Sequence, residues 1–263
     1  MRNGRPPSVQ SVRRAVSILE LLADGGGELG VTELGKRLGV HKATASRLVA
    51  TLAEHGLVER NPLTDKYRLG FGVVRLAAAT VGRLDLVQQA RPVLERLAEQ
   101  TGETVNLAML DGEWAVNIDQ VTGASSVVSV SWVGKRTPLH CTSSGKVLLA
   151  HAPREVREHV LSRPLERLTQ HTIVDPQALS RQLSEAIARG YAFTVEELEV
   201  GLNAVAAPVR RAGGGVVAAI SVSGPAYRVT PARIPMLGQA VRLAGVEVSR
   251  RMGHIERRES VAR

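Results

Sequence analysis

Residues 31–56 read VTELGKRLGVHKATASRLVATLAEHG, and the short break Gly39, Val40 and His41 inside this stretch decides how the N-terminal part of the chain folds. Before the break, Leu34 and Leu38 lie four residues apart and share one helix face. Thr32 is placed to cap that short helix, and Gly39 suits the left-handed stop at its end. After the break, Ala45, Leu48, Val49 and Leu52 recur at helical spacing, Thr44, Arg47 and Thr51 project elsewhere, and Gly56 closes the helix. Two short helices across a tight glycine-bearing turn predict a helix-turn-helix.

The flanks extend this reading. Upstream, VRRAVSILELLA places Val12, Ala15, Val16, Leu19 and Leu22 on one face of a helix that Gly25, Gly26 and Gly27 end. Downstream, LVER and KYRLG flank NPLTD, a proline-bearing turn between short alternating segments, as expected for a hairpin or wing. Residues 9–70 therefore read as a winged helix-turn-helix, preceded by a flexible basic arm over 1–8. Residues 1–70 hold 11 Lys+Arg against 7 Asp+Glu, and the longer remainder 23 against 18, so the short segment is the more basic per residue. That balance suits double-stranded DNA. Lys42, Thr44, Ser46 and Arg47 are the candidates for the major groove, with Arg47 also able to serve phosphate. Lys66 and Arg68 on the wing, and Arg2 and Arg5 on the arm, are candidates for phosphate or minor-groove contacts. Arg13, Arg14, Lys36 and Arg37 read as solvated or backbone-facing. A three-helix interaction module with a merely polar face is the alternative.

The whole chain has 263 residues, 44% of them hydrophobic and 22% charged, with a net charge of +9, an ordinary globular composition for one large or two ordinary domains. A single cysteine excludes an intramolecular disulfide framework. The N-terminus MRNGRPPSVQ lacks the apolar core of a secretory signal, and no run of about 18 apolar residues suggests a membrane span. The expected location is the cytoplasm. Residues 71–86 read as a helical linker that continues into a helix with Leu86, Ala90, Val93, Leu94 and Leu97 on one face. Within 87–253, TVNLAMLD, WAVNIDQV, VVSVSWV, YAFTV, NAVAAPV and VVAAISVSG read as strands. DPQALSRQLSEAIARG is a helix capped by Asp175, and a last amphipathic helix begins near Pro231. The fold class is α+β in two domains, the second built on an antiparallel sheet. Residues 254–263 belong to a basic tail with five arginines against two glutamates from Arg250 onward.

HCTSSGKVLLA, residues 140–150, invites three enzymatic readings: a Cys141/His140 pair, an acylating Ser143 with Lys146, and a phosphate loop ending in Gly145-Lys146. The phosphate loop fails because His140 and Val147 stand where glycine and the hydroxyl residue belong. The Ser-x-x-Lys reading lacks its S-D-N and K-T-G companions. Adjacent side chains diverge on helix or strand, so His140 and Cys141 need not meet. No metal or cofactor site is read from the sequence. A hydrolase using Cys141 or Ser143, and a ligand-independent architectural DNA-binding protein, stand as rival functions.

SVQSVRRAVSILELLA, HKATASRLVATLAEHGLVER, PLHCTSSGKVLLA, EELEVGLNAVAAPV and VVAAISVSGP together resemble bacterial transcriptional regulators of the IclR type over residues 9–253. The resemblance implies a GAF-like effector domain behind the winged helix-turn-helix, dimers or tetramers on operator DNA, small carboxylic or aromatic acids as effectors, repression as the commoner outcome, and no enzymatic activity. It implies an effector pocket formed by Ser143, Ser144 and Gly145, whose backbone amides attract a carboxylate, with Thr194, Ala204, Ser221 and Ser223. Ser221 and Ser223, two apart on a strand, face the same way. Where glyoxylate- and pyruvate-sensing members carry a cysteine and an acidic residue, this sequence has Ala204 and Thr194. That pairing suits a larger or more apolar acid, with Glu196 or Glu197 available to replace the charge. Cys141 then reads as a buried small residue and His140 as a structural hydrogen-bonder.

Overall fold

The computed structural model describes residues 9–24, 27–78, 81–124 and 131–254, and divides the chain into two compact units after Leu84. The first unit contains α1 (Gln10–Asp24), α2 (Val31–Leu38), α3 (Lys42–Glu54), the hairpin β1 (Val58–Arg60) with β2 (Tyr67–Leu69), and α4 (Gly72–Ala78). Its core gathers Ile18, Leu22, Leu29, Leu34, Val49, Leu52 and Val58. Two stripes were available on α1, and the buried one runs through Ala15, Ile18, Leu19 and Leu22. Val12 and Val16 are exposed, contrary to expectation. Thr32 does not cap α2, because the helix starts one residue earlier at Val31 with Gly30 as an N-cap that has no side chain to offer. Gly39 does end it, at φ +64°, where a side chain is strained, and its amide returns to the Lys36 carbonyl at 3.2 Å. The hairpin pairs antiparallel in the register Val58↔Leu69, and Tyr67 also bridges Leu29, which ties the wing to the α1–α2 connection.

The second unit begins within α5 (Val81–Thr101) and holds β3 (Thr104–Asp111), β4 (Trp114–Val121), β5 (Arg136–Pro138), α6 (Ser143–Ala150), α7 (Arg154–Leu161), α8 (Pro176–Arg189), β6 (Ala192–Val195), β7 (Leu202–Arg210), β8 (Val216–Pro225), a 3-10 turn (Pro231–Arg233) and α9 (Ile234–Arg251). The strands form one antiparallel sheet in the order β5-β4-β3-β8-β7-β6. Most of the strand expected over VVSVSWV lies outside the described residues, and its last part, 131–133, carries no strand; β5 follows instead. Asp175 caps α8 by accepting from the Gln177 and Ala178 amides, as its sequence predicts. Among the described residues no helix is long and apolar enough to cross a membrane.

The two faces of the sheet are surfaced differently. On one, Val105, Leu107, Val205, Val209, Ile220 and Val222 pack with Leu94 and Leu97 of α5 and Leu237, Val241 and Val248 of α9. On the other, alanines predominate: Ala108, Ala115, Ala192, Ala206 and Ala219 lie against Val147, Leu148 and Leu149 of α6 and Leu179 and Leu183 of α8. Residues with only a Cβ let a helix approach a sheet closely, and dispersion favours the closest fit that avoids overlap. Replacing Ala219, fully buried at the centre of this face, by leucine should force α6 outward and lower the stability of the second unit by about 1–3 kcal/mol, read from urea denaturation followed by circular dichroism.

Candidate functional site

The first unit carries exposed cations on α3 and on the wing. Lys42, Ser46 and Arg47 are exposed on the N-terminal half of α3, and Thr44 is half-buried beside Ala45. Among the described residues neither Lys42, Arg47 nor Lys66 is held in an ion pair, whereas Arg37, Arg60 and Arg68 are held by Glu33, Asp65 and Glu59. Arg68 is therefore partly neutralised at 2.6 Å from Glu59, a competition the sequence did not reveal. Glu28 braces the wing: Asn61 and Thr64 donate to it at 2.6 and 2.7 Å, and these bonds hold its carboxyl below the usual value. Arg2 and Arg5 lie outside the described residues.

The second unit contains a pocket of about 60 Å³ where α6 begins. Each strand that carries an alanine under α6 carries a pocket residue two positions away on the same face. Ala108 hands over to Asn106, Ala115 to Asn117, Ala192 to Thr194, Ala206 to Ala204, and Ala219 to Ser221 and Ser223. Register aligns Thr194 with Ala204, Ala204 with Ser223, and Ser221 with Asn106. Thr142, Ser143, Ser144, Thr137 and Trp132 close one side, and Leu198 and Leu202 close another. Among the described residues, nine of the thirteen that line the pocket carry a hydroxyl or carboxamide, and none is acidic or basic. The expected serines, Thr194 and Ala204 are thus brought together. Asn106, Asn117 and Trp132 were missed, although strand alternation puts both asparagines at inward positions.

The helix start is specific about its amides. Thr142 caps α6, accepting from the Gly145 amide at 3.1 Å through its side chain and from Lys146 through its carbonyl. Among the described residues no group accepts from the amides of Ser143 and Ser144, which line the pocket. Gly145 departs from its expected role: its amide is taken, and it does not line the pocket. Its requirement is steric, since an added Cβ would sit 2.4 Å from Thr142 Oγ1 and 2.6 Å from the Leu139 backbone.

One turn further, Lys146 is 1% exposed and donates to Glu197 Oε1 at 2.5 Å and to Gln182 Oε1 at 2.7 Å. Burial pushes the Lys146 ammonium down and the Glu197 carboxyl up, against the attraction each exerts on the other. This pair joins α6 to the loop between β6 and β7, which carries Leu198. Thr169 and Thr172 hold the same loop by donating to the Glu196 and Glu197 carbonyls at 2.6 and 2.7 Å. Neither glutamate replaces a pocket charge as expected: Glu197 is consumed by Lys146, and Glu196 accepts from the Gly201 amide at 2.7 Å.

The same contacts dispose of the enzymatic readings. Lys146 faces Glu197 and Gln182 and so does not serve Ser143 as a base. His140 meets the Glu166 carbonyl at 2.9 Å through Nε2. Cys141 is fully buried, and burial, aided by the Glu197 carboxylate, pushes its thiol up to about 12. A thiol with that value stays protonated at neutral pH and is a poor nucleophile. Iodoacetamide at pH 8 should therefore leave Cys141 unmodified in the folded protein and alkylate it in urea, as read by intact-mass spectrometry; rapid alkylation without denaturant would contradict the burial described here.

Comparison with known proteins agrees with this arrangement. Residues 11–62 match the IclR helix-turn-helix domain, and residues 78–250 match the bacterial transcriptional regulator IclR C-terminal domain. The chain is 35% identical over 249 residues to the HTH-type transcriptional regulator XynR of Escherichia coli (strain K12), covering 94% of this chain and 99% of the relative. It is 36% identical over 261 residues to the HTH-type transcriptional repressor AllR of Klebsiella pneumoniae, covering 96% of each. A crystal structure of an IclR homolog from Microbacterium hydrocarbonoxydans, complexed with 4-hydroxybenzoate, superposes with a TM-score of 0.81 at 31% identity, covering 92% of this chain and 98% of that one. Two unclaimed helix amides above a polar, uncharged pocket, a winged helix-turn-helix and these matches over nearly the whole length lead to one statement: the chain belongs to the IclR family of DNA-binding transcriptional regulators, which are not enzymes.

Proposed function

We propose that this protein is a repressor whose affinity for a DNA operator is set by a small organic acid bound at the start of α6. The observation that carries the reading is the pair of amides at Ser143 and Ser144, two residues that line the pocket, which no group among the described residues accepts from. A helix N-terminus concentrates partial positive charge and attracts a carboxylate without chemistry. The hydroxyls of Ser221 and Ser223 supply further polar contacts, Thr194 adds another, and Ala204 leaves room beside them. The homologous complex with 4-hydroxybenzoate supports an acid as the effector class.

On the DNA side, Lys42, Thr44, Ser46 and Arg47 are assigned to the major groove, with Lys66 and Arg68 on phosphate and Arg2 and Arg5 on the arm. Support comes from the exposed, unpaired Lys42, Arg47 and Lys66. The protein acts as a homodimer or a tetramer built from dimers. The exposed stripe of Val12 and Val16 on α1 gives a second copy an apolar surface to cover. Effector and operator are then linked through the populations of two conformations, so that each changes the other's affinity by the same factor. Coupling of about 1–3 kcal/mol corresponds to roughly a 5- to 150-fold change.

Arg47→Ala should weaken binding to DNA from upstream of its own gene by about 10- to 100-fold while leaving acid-induced thermal stabilisation intact. Fluorescence anisotropy with a labelled duplex reads the first and differential scanning fluorimetry the second. Unchanged DNA affinity would remove α3 from the interface.

A further inference from the structure

Asn106 is 5% exposed, yet its carboxamide is only half used. Its Nδ2 donates to Ser223 Oγ at 3.3 Å, and its Oδ1 is buried without a partner, on a residue that lines the pocket. A buried carbonyl left unpaired is costly, so an occupant of the pocket that supplies a donor gains relative to one that does not. Asn117, also buried, adds a second neutral carboxamide from the neighbouring strand. The requirement does not depend on which way the amide is turned. With Oδ1 open, the partner must donate; with Nδ2 open, it must accept; a hydroxyl does both. A methylene does neither, and an oxo group only accepts.

We infer that the effector is a hydroxy acid, bound with its carboxylate on the Ser143 and Ser144 amides and a hydroxyl on the Asn106 carboxamide. The inference rests on the acid-effector reading above and narrows it. Asn106 is then the specificity-determining residue, because it distinguishes a hydroxy acid from its unhydroxylated counterpart. The same asymmetry underlies strong discrimination wherever a buried polar group is built to pair with a substrate hydroxyl. Ser223 takes part by holding the carboxamide. A residue that merely satisfied the strand would make no such distinction between ligands.

The test is calorimetric titration of the full-length protein with matched pairs: glycolate and acetate, lactate and propionate, 3-hydroxybutyrate and butyrate, 4-hydroxybenzoate and benzoate. In at least one pair the hydroxy acid should bind about tenfold or more tightly than its partner. Asn106→Leu, of similar size, should bring that ratio close to one by weakening the hydroxy acid more than its unhydroxylated partner. The wild-type comparison stands even if that variant does not fold. Acids that bind without preference for the hydroxyl would overturn this inference and leave the acid-effector reading standing. A preference that survives Asn106→Leu would overturn the assignment to Asn106. Binding by no member of any pair would overturn both.

Discussion

The closeness with which α6 lies on the sheet is the constraint from which the effector domain follows. Five alanines make that face shallow, and the helix above them brings Val147, Leu148 and Leu149 into the core. The helix therefore starts directly over the place where the strands change from alanine to hydroxyl and carboxamide side chains. A larger residue under the helix would lift its first turn away from Asn106 and Ser221. Gly145 serves the same closeness from above, by letting the helix turn against the Leu139 backbone. The buried Lys146–Glu197 pair then fixes the loop that bears Leu198 to the same helix. A buried pair of this kind is weak evidence for added stability, since removing two charges from water offsets much of their attraction. What it supplies is a defined geometry: floor and roof of the pocket are fastened to one element.

The first unit solves a different problem, which is to leave some cations available while satisfying others. Arg37, Arg60 and Arg68 are each matched to a nearby carboxylate, two of them on the wing itself. Glu28 receives Asn61 and Thr64 and thereby sets the wing's turn against the α1–α2 connection. The pairs stiffen the scaffold, and Lys42, Arg47 and Lys66, in no ion pair among the described residues, are presented from it. Exposed pairs contribute little stability individually, so their effect is to shape the surface and the potential around it.

The legible parts of this chain were those in which local pattern and tertiary outcome coincide. The Gly39 break, the capped α8 and the alternating strands β3, β4, β7 and β8 follow from residues within a few positions of one another. So does the shared face of Ser221 and Ser223. Where two local solutions were nearly equal, packing chose: beside Ala15, Leu19 and Leu22, α1 could bury Val12 and Val16 or Ile18, and the core took Ile18. Thr32 was a plausible cap, and the helix takes its cap two residues earlier, at Gly30. Asn106 and Asn117 were overlooked because a polar residue in a strand ordinarily marks a solvent face, and only the helix above shows that theirs is interior. Lys146 and Glu197 are 51 residues apart, and no periodicity links them. A buried lysine is recognisable only after its partner is in place.

The neutrality of the pocket lining carries a consequence for how the protein experiences its solvent. On the proposed reading, an acid at the start of α6 meets backbone dipoles and hydroxyls, so ionic strength alters that attraction less than it alters an exposed ion pair. On the same reading, DNA is met by exposed lysine and arginine side chains, whose attraction for phosphate declines steeply as salt reduces the advantage of counterion release. The two units of one regulator thus answer to different features of the solution around them. On that reading, a rise in ionic strength weakens the hold on DNA more than the hold on the acid.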